Sequence, residues 1–292
     1  MRLAEIVTVL FSWTAGATLL SAVLLLLGYL IVNGCESLDL SLVFGDVPPL
    51  RALLLKERVF KGLFPAIAGT LALVVMSIAW AVPAGIATGI YLAEYAPRLP
   101  KKILDAFFDV LSGIPSIVVG LFGFALSVFL HRHYSDRIGP CLLVSSIALS
   151  LLVLPYIIRT TQAALEGIPL EIRLTALALG ATKLQNIIHV LIPKCLSGIM
   201  SGIILAIGRC AEDTAVIMLT GAVASAGLPR SVFSQYEALP FHIYYISSQY
   251  ANPEELVQGY GAAIILLFLC TALFAGAYGI RKGLTFFAFY RP

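Results

Sequence analysis

The sequence predicts an all-α, polytopic membrane protein with six transmembrane helices. Two observations carry that reading. Apolar residues make up 60% and charged residues 12% of the chain, whereas a soluble domain has about 45–50% and about 25%. Apolar runs also recur at the length of about 20 residues that a bilayer core demands. The net charge of +3 is too small to suggest a nucleic-acid partner.

The first span is predicted over 7–32. Its apolar stretch outlasts a signal-peptide core and no small-residue cleavage site follows it, so it reads as an uncleaved helix. The second is predicted over 64–92, starting near Pro65 and interrupted by Pro83. The remaining four are placed at 107–130, 140–158, 193–223 and 256–280. Pro83, Pro115 and Pro155 each remove a backbone donor, and kinks are expected there. Small residues stand four apart at Gly85 and Gly89, at Ser116 and Gly120, and at Gly198, Gly202 and Ala206. In lipid, such stripes let backbones approach closely. Cysteines 35, 141, 195, 210 and 270 form no CxxC pair and read as apolar helix residues. His131 and His133 read as solvated residues of a short outer loop.

Six spans put both termini on one side. Eleven of the 19 Lys and Arg fall on that side, seven fall on the other, and Arg209 lies within a span. The excess predicts cytoplasmic termini, although the 33–63 loop is basic for an outer loop.

The 159–192 segment is long for a connection and too polar to span. Ile168-Pro169-Leu170-Glu171 places a proline and an acid at a helix start. Ile172, Ala176 and Leu179 recur at helical spacing, and Gly180 stands where a left-handed cap is needed. Thr182-Lys183-Leu184-Gln185 has capping-box form. Leu184, Ile187, Ile188 and Leu191 give the second helix an apolar face, and Pro193 marks its end or the start of span five. The pattern fits a knob that inserts into a groove on a soluble partner. It equally fits an amphipathic connector lying on the membrane surface.

Arg209, Glu212 and Asp213 fall within the fifth predicted span. An arginine at a helix centre costs about 2.5–3.5 kcal/mol on insertion scales, and residues three or four apart are neighbours. The set reads either as a pathway or gating constellation or as a structural pair orienting an interface.

The run Ala176-Leu-Ala-Leu-Gly180-Ala181-Thr182-Lys, closed by Val190-Leu-Ile-Pro193, resembles the coupling loop of ABC importer permeases. Leu174 and Thr175 stand where that loop has Glu and Ala, while Ala176, Gly180 and Pro193 match it. Further runs resemble the A-type permeases of phosphate importers. They are Phe64-Pro-Ala-Ile-Ala-Gly-Thr70, Gly89-Ile-Tyr-Leu-Ala-Glu-Tyr95, Ser112-Gly-Ile-Pro-Ser-Ile-Val-Val-Gly-Leu-Phe-Gly123, Arg159-Thr-Thr161, Ala206-Ile-Gly-Arg-Cys-Ala-Glu-Asp-Thr-Ala215 and Leu239-Pro-Phe-His-Ile-Tyr-Tyr245. That family has Gly-Glu where this chain has Glu212-Asp213.

The resemblance implies a type I importer permease (MetI-like) fold in the cytoplasmic, or inner, membrane. It implies half of a translocation pathway for inorganic phosphate. It also implies as partners a second permease subunit in a heterodimer, two ATPase subunits and an extracytoplasmic phosphate-binding protein. Ala176, Leu179, Gly180, Ala181, Thr182 and Pro193 would couple to the ATPase; Arg159, Arg209, Glu212 and Asp213 would serve the pathway or its gate. No cofactor is expected on this chain. It lacks a GxxxxGK[ST] phosphate loop, so ATP and Mg would be bound by the ATPase subunits.

On this reading residues 1–60 form the first helix and an outer loop, 61–282 the permease domain and 283–292 a cytoplasmic tail. A permease for molybdate or sulfate is the neighbouring alternative. An intramembrane enzyme would need facing acids, a Ser–His pair or HExxH; no HExxH is present, and Glu212 and Asp213 are adjacent in sequence. A stand-alone channel would not need the 159–192 loop.

Overall fold

The computed structural model describes residues 2–45, 47–48, 62–135 and 139–290. Arg51, Lys56, Arg58 and Lys61 of the basic loop, along with Arg137 and Arg291, lie outside them. Among the described residues, six helices are long and apolar enough to cross a membrane. The first, α1 (Arg2–Gly34), is followed by the short α2 (Leu40–Phe44). Helix α3 (Phe64–Ile90) continues through Pro83 and closes in a π turn, Tyr91–Tyr95. Next come α4 (Arg98–Ser112), α5 (Ser116–His133) and α6 (Leu142–Glu166), the last continuous through Pro155.

The predicted third span, 107–130, is therefore two helices. Pro115 is why. It cannot donate a backbone hydrogen bond, and it biases Ile114 before it away from helix. Only Ser116–His133 has the apolar character of a span. Helix α4 carries Arg98, Lys101, Lys102, Asp105 and Asp109, while Leu104, Phe108 and Leu111 pack inward with Leu92 and Ile158. His131 and His133 belong to the last turn of α5 rather than to a loop, and the His133 ring stacks on Phe129 at 4.4 Å.

The fifth span also differs from its prediction. It starts at Lys183 as α8 (Lys183–Asn186), passes through a π turn, Ile187–Leu191, and continues as α9 (Ile192–Glu212). Pro193 lacks the N–H that a regular α-turn would use, and the wider turn just before it accommodates the loss. At the far end the helix stops at Glu212, not at 223, and α10 (Ala215–Thr220) restarts after Asp213 and Thr214. The chain ends with α11 (Leu239–Gln249) and α12 (Pro253–Tyr290), which extends the predicted sixth span at both ends.

Helix α6 sits at the centre, with α3 and α9 packed on it. A β-carbon added to Gly89 of α3 would lie 2.6 Å from Thr161 Cβ, and one added to Gly202 of α9 would lie 1.8 Å from Thr160 Oγ1. Apolar burial does not drive helices together in lipid, so this close backbone packing is the cohesive term. Leu73, Leu149, Val153, Ile157 and Ala206 are buried among these helices. By contrast α1 is exposed through Leu19, Leu20, Leu24, Leu25 and Leu26. It meets α12 at Tyr29, whose hydroxyl lies 3.3 Å from that of Tyr260.

At the end of the bundle where α6 begins, the 221–238 loop is pinned on both sides. Leu142 N–H donates to the Ser234 carbonyl at 3.1 Å and Leu143 N–H to that of Val232 at 2.9 Å. Leu239 N–H donates to Thr70 Oγ1 of α3 at 2.9 Å.

Candidate functional site

Two sites follow from this frame. The first is the knob formed by 167–186 at the opposite end of the bundle. Helix α7 (Leu170–Ala178) begins after Pro169 and carries Glu171 in its first turn. It ends in a Schellman motif: Gly180 N–H donates to the Leu177 carbonyl at 3.0 Å, and Ala181 N–H to that of Ala176 at 3.1 Å. That motif requires the left-handed φ of +85° at Gly180. The capping box is formed as the sequence predicts. Thr182 Oγ1 accepts Gln185 N–H at 3.3 Å, and Gln185 Oε1 accepts Thr182 N–H at 2.8 Å.

The knob has two faces. Ile172 leans on a buried cluster of Leu165, Ile168, Ile187, Leu191 and Cys195. Leu174, Leu177 and Leu179 point outward, with Leu179 85% exposed. The expected apolar face of the second helix is split, because Ile187 and Leu191 are buried while Leu184 and Ile188 stay exposed. Pro193 lies in the first turn of α9, well inside the continuous span.

The second site is the break between α9 and α10. Arg209 Nη1 lies 3.3 Å from Glu212 Oε1, and Nη2 lies 3.1 Å from Asp213 Oδ2. Asp213 Oδ1 accepts Val216 N–H at 2.8 Å, so the same carboxylate caps α10. The expectation that these charges sit inside one unbroken helix is corrected here, since Asp213 adopts extended backbone with ψ of 122°. The Asp213 side chain is 2% exposed and that of Glu212 60%. Arg209 therefore has one carboxylate locked beneath it and one on the open side.

Arg159 is not part of this set. Its guanidinium lies 2.5 Å from Asp105 Oδ1 and 2.5 Å from Asp109 Oδ1 of α4, and 3.1 Å from Gln162 Oε1. Lys101 and Glu166 extend the network at 2.7 Å. These contacts fasten the amphipathic α4 to α6. No hydrogen bond or ion pair among the described residues joins Arg159 to Arg209. Sequence reasoning missed α4, although the spacing of Leu104, Phe108 and Leu111 is a helical stripe. It also missed Glu237, a buried acid in the 221–238 loop whose Oε1 accepts Gly227 N–H at 2.7 Å. Burial pushes this carboxyl above its ordinary 4.5, against the partly offsetting N–H groups of Gly227 and Ala226.

Comparison with known proteins bears on the family and the fold. Residues 85–282 match the family described as binding-protein-dependent transport system inner membrane component. A phosphate transport system permease protein, PstA 1, of Mycobacterium tuberculosis is 33% identical over 231 residues, covering 78% of this chain and 73% of that protein. A probable ABC transporter permease protein of Bacillus subtilis, YqgI, is 27% identical over 269 residues, covering 86% of each. Among solved structures, a chain of the methionine ABC transporter MetNI in an inward-facing conformation superposes with a TM-score of 0.56 at 17% identity. That superposition covers 82% of this chain and 100% of the other.

Proposed function

This chain belongs to the binding-protein-dependent transport system inner membrane component family, and from that membership we propose that it is the permease subunit of an ATP-driven phosphate importer. It forms half of the translocation pathway and is itself no enzyme. Similarity to a phosphate transport permease over most of the chain supports phosphate over molybdate or sulfate.

The observation that carries the reading is the knob. A helix, a left-handed glycine and a capped second helix present Leu174, Leu177 and Leu179 away from the bundle. Apolar side chains on a short helix at a membrane protein's polar end suit a groove on a soluble partner. Ala176, Leu179, Gly180, Ala181 and Thr182 shape that surface, and Pro193 sets how it joins span five. The partner is an ATPase subunit carrying ATP and Mg. A second, related permease and an extracytoplasmic binding protein complete the complex. Both termini and the knob then face the cytoplasm of an inner membrane.

Arg209, Glu212 and Asp213 serve the pathway by holding a helix break open within it. Arg209 already has two carboxylates, so its role is to shape the break rather than to hold an anion alone. Arg159 acts in gating through its hold on α4. The test is reconstitution of the whole complex in liposomes. ATP hydrolysis is expected to rise with binding protein loaded with phosphate; a rise only with sulfate or molybdate would reassign the substrate.

A further inference from the structure

We propose that helix α3 is a rod linking the knob to the 221–238 loop across the membrane, and that the Arg173–Glu94 ion pair is its grip on the knob. The proposal rests on the knob being the ATPase-facing surface.

The chain connects the knob covalently to α6 on one side and to α9 on the other. Helix α3 has no such link. It is held by side chains instead, and these converge on its terminal π turn, Tyr91–Tyr95. Arg173 of α7 donates to the Glu94 carboxylate, with the two side chains only 19% and 10% exposed. The same guanidinium donates to the carbonyls of Leu165 and Ile168, at the C-terminal end of α6. From the other half of the knob, Lys183 Nζ donates to the Glu94 carbonyl and sits 4.5 Å over the Tyr95 ring. Asn186 Nδ2 locks the halves together through the Arg173 carbonyl at 2.9 Å. Both parts of the knob therefore hold one five-residue turn.

The other end of α3 is held with similar closeness. Thr70 Oγ1 accepts Leu239 N–H at 2.9 Å. A β-carbon on Gly69 would lie 2.0 Å from the Glu237 carbonyl oxygen, so loop and helix backbones touch there. A 27-residue helix spans about 40 Å at a rise of about 1.5 Å per residue. It packs closely against α6, with Gly85 against Ile157 and Gly89 against Thr161. Displacement of the knob thus has a contiguous physical route to the loop at the far end. Glu94 and Arg173 form the joint on that route because they are a part-buried, opposite-charge, hydrogen-bonded pair between elements distant in sequence.

The experiment uses the assembled complex with its ATPase and binding protein. Phosphate taken up per ATP hydrolysed is measured for Glu94→Gln, for Arg173→Gln and for the double variant. A cysteine replacing Leu179 reports knob docking by cross-linking to the ATPase. Each single variant should still cross-link, yet lose about fivefold or more in uptake per ATP. The double variant should lose no more than the worse single one, as expected for a pair acting together. A merely structural pair would lower complex yield without moving that ratio. An intact cross-link with a wild-type ratio in Glu94→Gln overturns the proposal. Absence of the cross-link in the otherwise unaltered chain overturns the docking reading and this inference with it. Should Glu94→Gln fail to assemble, Glu94→Asp keeps the charge with a shorter reach. The same loss is expected of it, and a wild-type ratio would again refute the grip.

Discussion

Gly202 of α9 and Thr160 of α6 approach so closely that a β-carbon on the glycine would lie 1.8 Å from the threonine Oγ1. Gly202→Ala should therefore destabilise the bundle by about 1–3 kcal/mol, the usual cost of overpacking. Gly279→Ala, where nothing lies within 4 Å of the added carbon, should be near neutral. Thermal unfolding of the detergent-purified complex compares the two, and equal midpoints would remove the packing argument.

Gly180→Val should weaken ATPase binding without preventing membrane insertion. A β-branched residue forced to a φ of +85° strains the turn by about 1–3 kcal/mol. Gly180→Asn should be much milder, because asparagine tolerates the left-handed region. The measurement is the amount of ATPase that co-purifies with each variant. Full recovery with the valine variant would count against the knob as the docking surface.

Arg209→Gln should assemble yet lose phosphate uptake if the helix break serves the pathway. If the arginine only balances charge, the loss should appear in complex yield and thermal stability as well. Adding Asp213→Asn separates these outcomes, since asparagine retains an oxygen to cap Val216 while removing the charge. Assembly should then recover, and uptake should stay low. Full uptake by a well-assembled Arg209→Gln chain would exclude a pathway role.

Glu237 gives a pH signature with a definite sign. Its folded-state pKa lies above the ordinary 4.5, so between the two values the folded protein binds more protons than the unfolded one. Stability contributed at this position is therefore lost as pH rises from about 4.5 through the raised value. Glu237→Gln should abolish that decline, so its midpoint advantage over wild type should grow with pH and then level off. A constant difference across that range would rule out the burial argument.

Orientation is checked by labelling. In a background lacking the native cysteines, Cys at Glu254 should react with an impermeant thiol reagent from outside, and Cys at Leu179 only after permeabilisation. The reverse pattern would invert the topology. Asp46 and Asp136 mark the same predicted outer face but lie outside the described residues.

Fold class and span number were legible because lipid leaves a coarse signal in hydropathy. The knob was legible for a different reason. Left-handed glycine and capping boxes are local chemistry, so Gly180 and Thr182–Gln185 could be read without knowing their surroundings. Span ends were not local in this sense. Pro115 stands between two helices, as the N-cap of α5, whereas Pro83 and Pro155 lie inside theirs, and tertiary packing decides between those outcomes. The charged set showed the same limit. Spacing placed Arg209 beside both acids correctly, but it could not show that Asp213 abandons the helix to cap the next one. Nor could spacing bring Glu94 to Arg173, which lie far apart in the chain and meet only once α3 and α7 are packed.

The π turn at Ile187–Leu191 also sets a rotational phase. A wider turn carries an extra residue, and each residue of an α-helix advances the azimuth by about 100°. Side chains before and after it thus point in directions that an unbroken helix would not give them. Thr182 to Asn186 and the membrane stretch after Pro193 are two rotors on one axle, offset by the turn between them. A single-residue deletion there would swing the exposed leucines of the knob around the axis of that helix, at the expense of one residue of the fifth span.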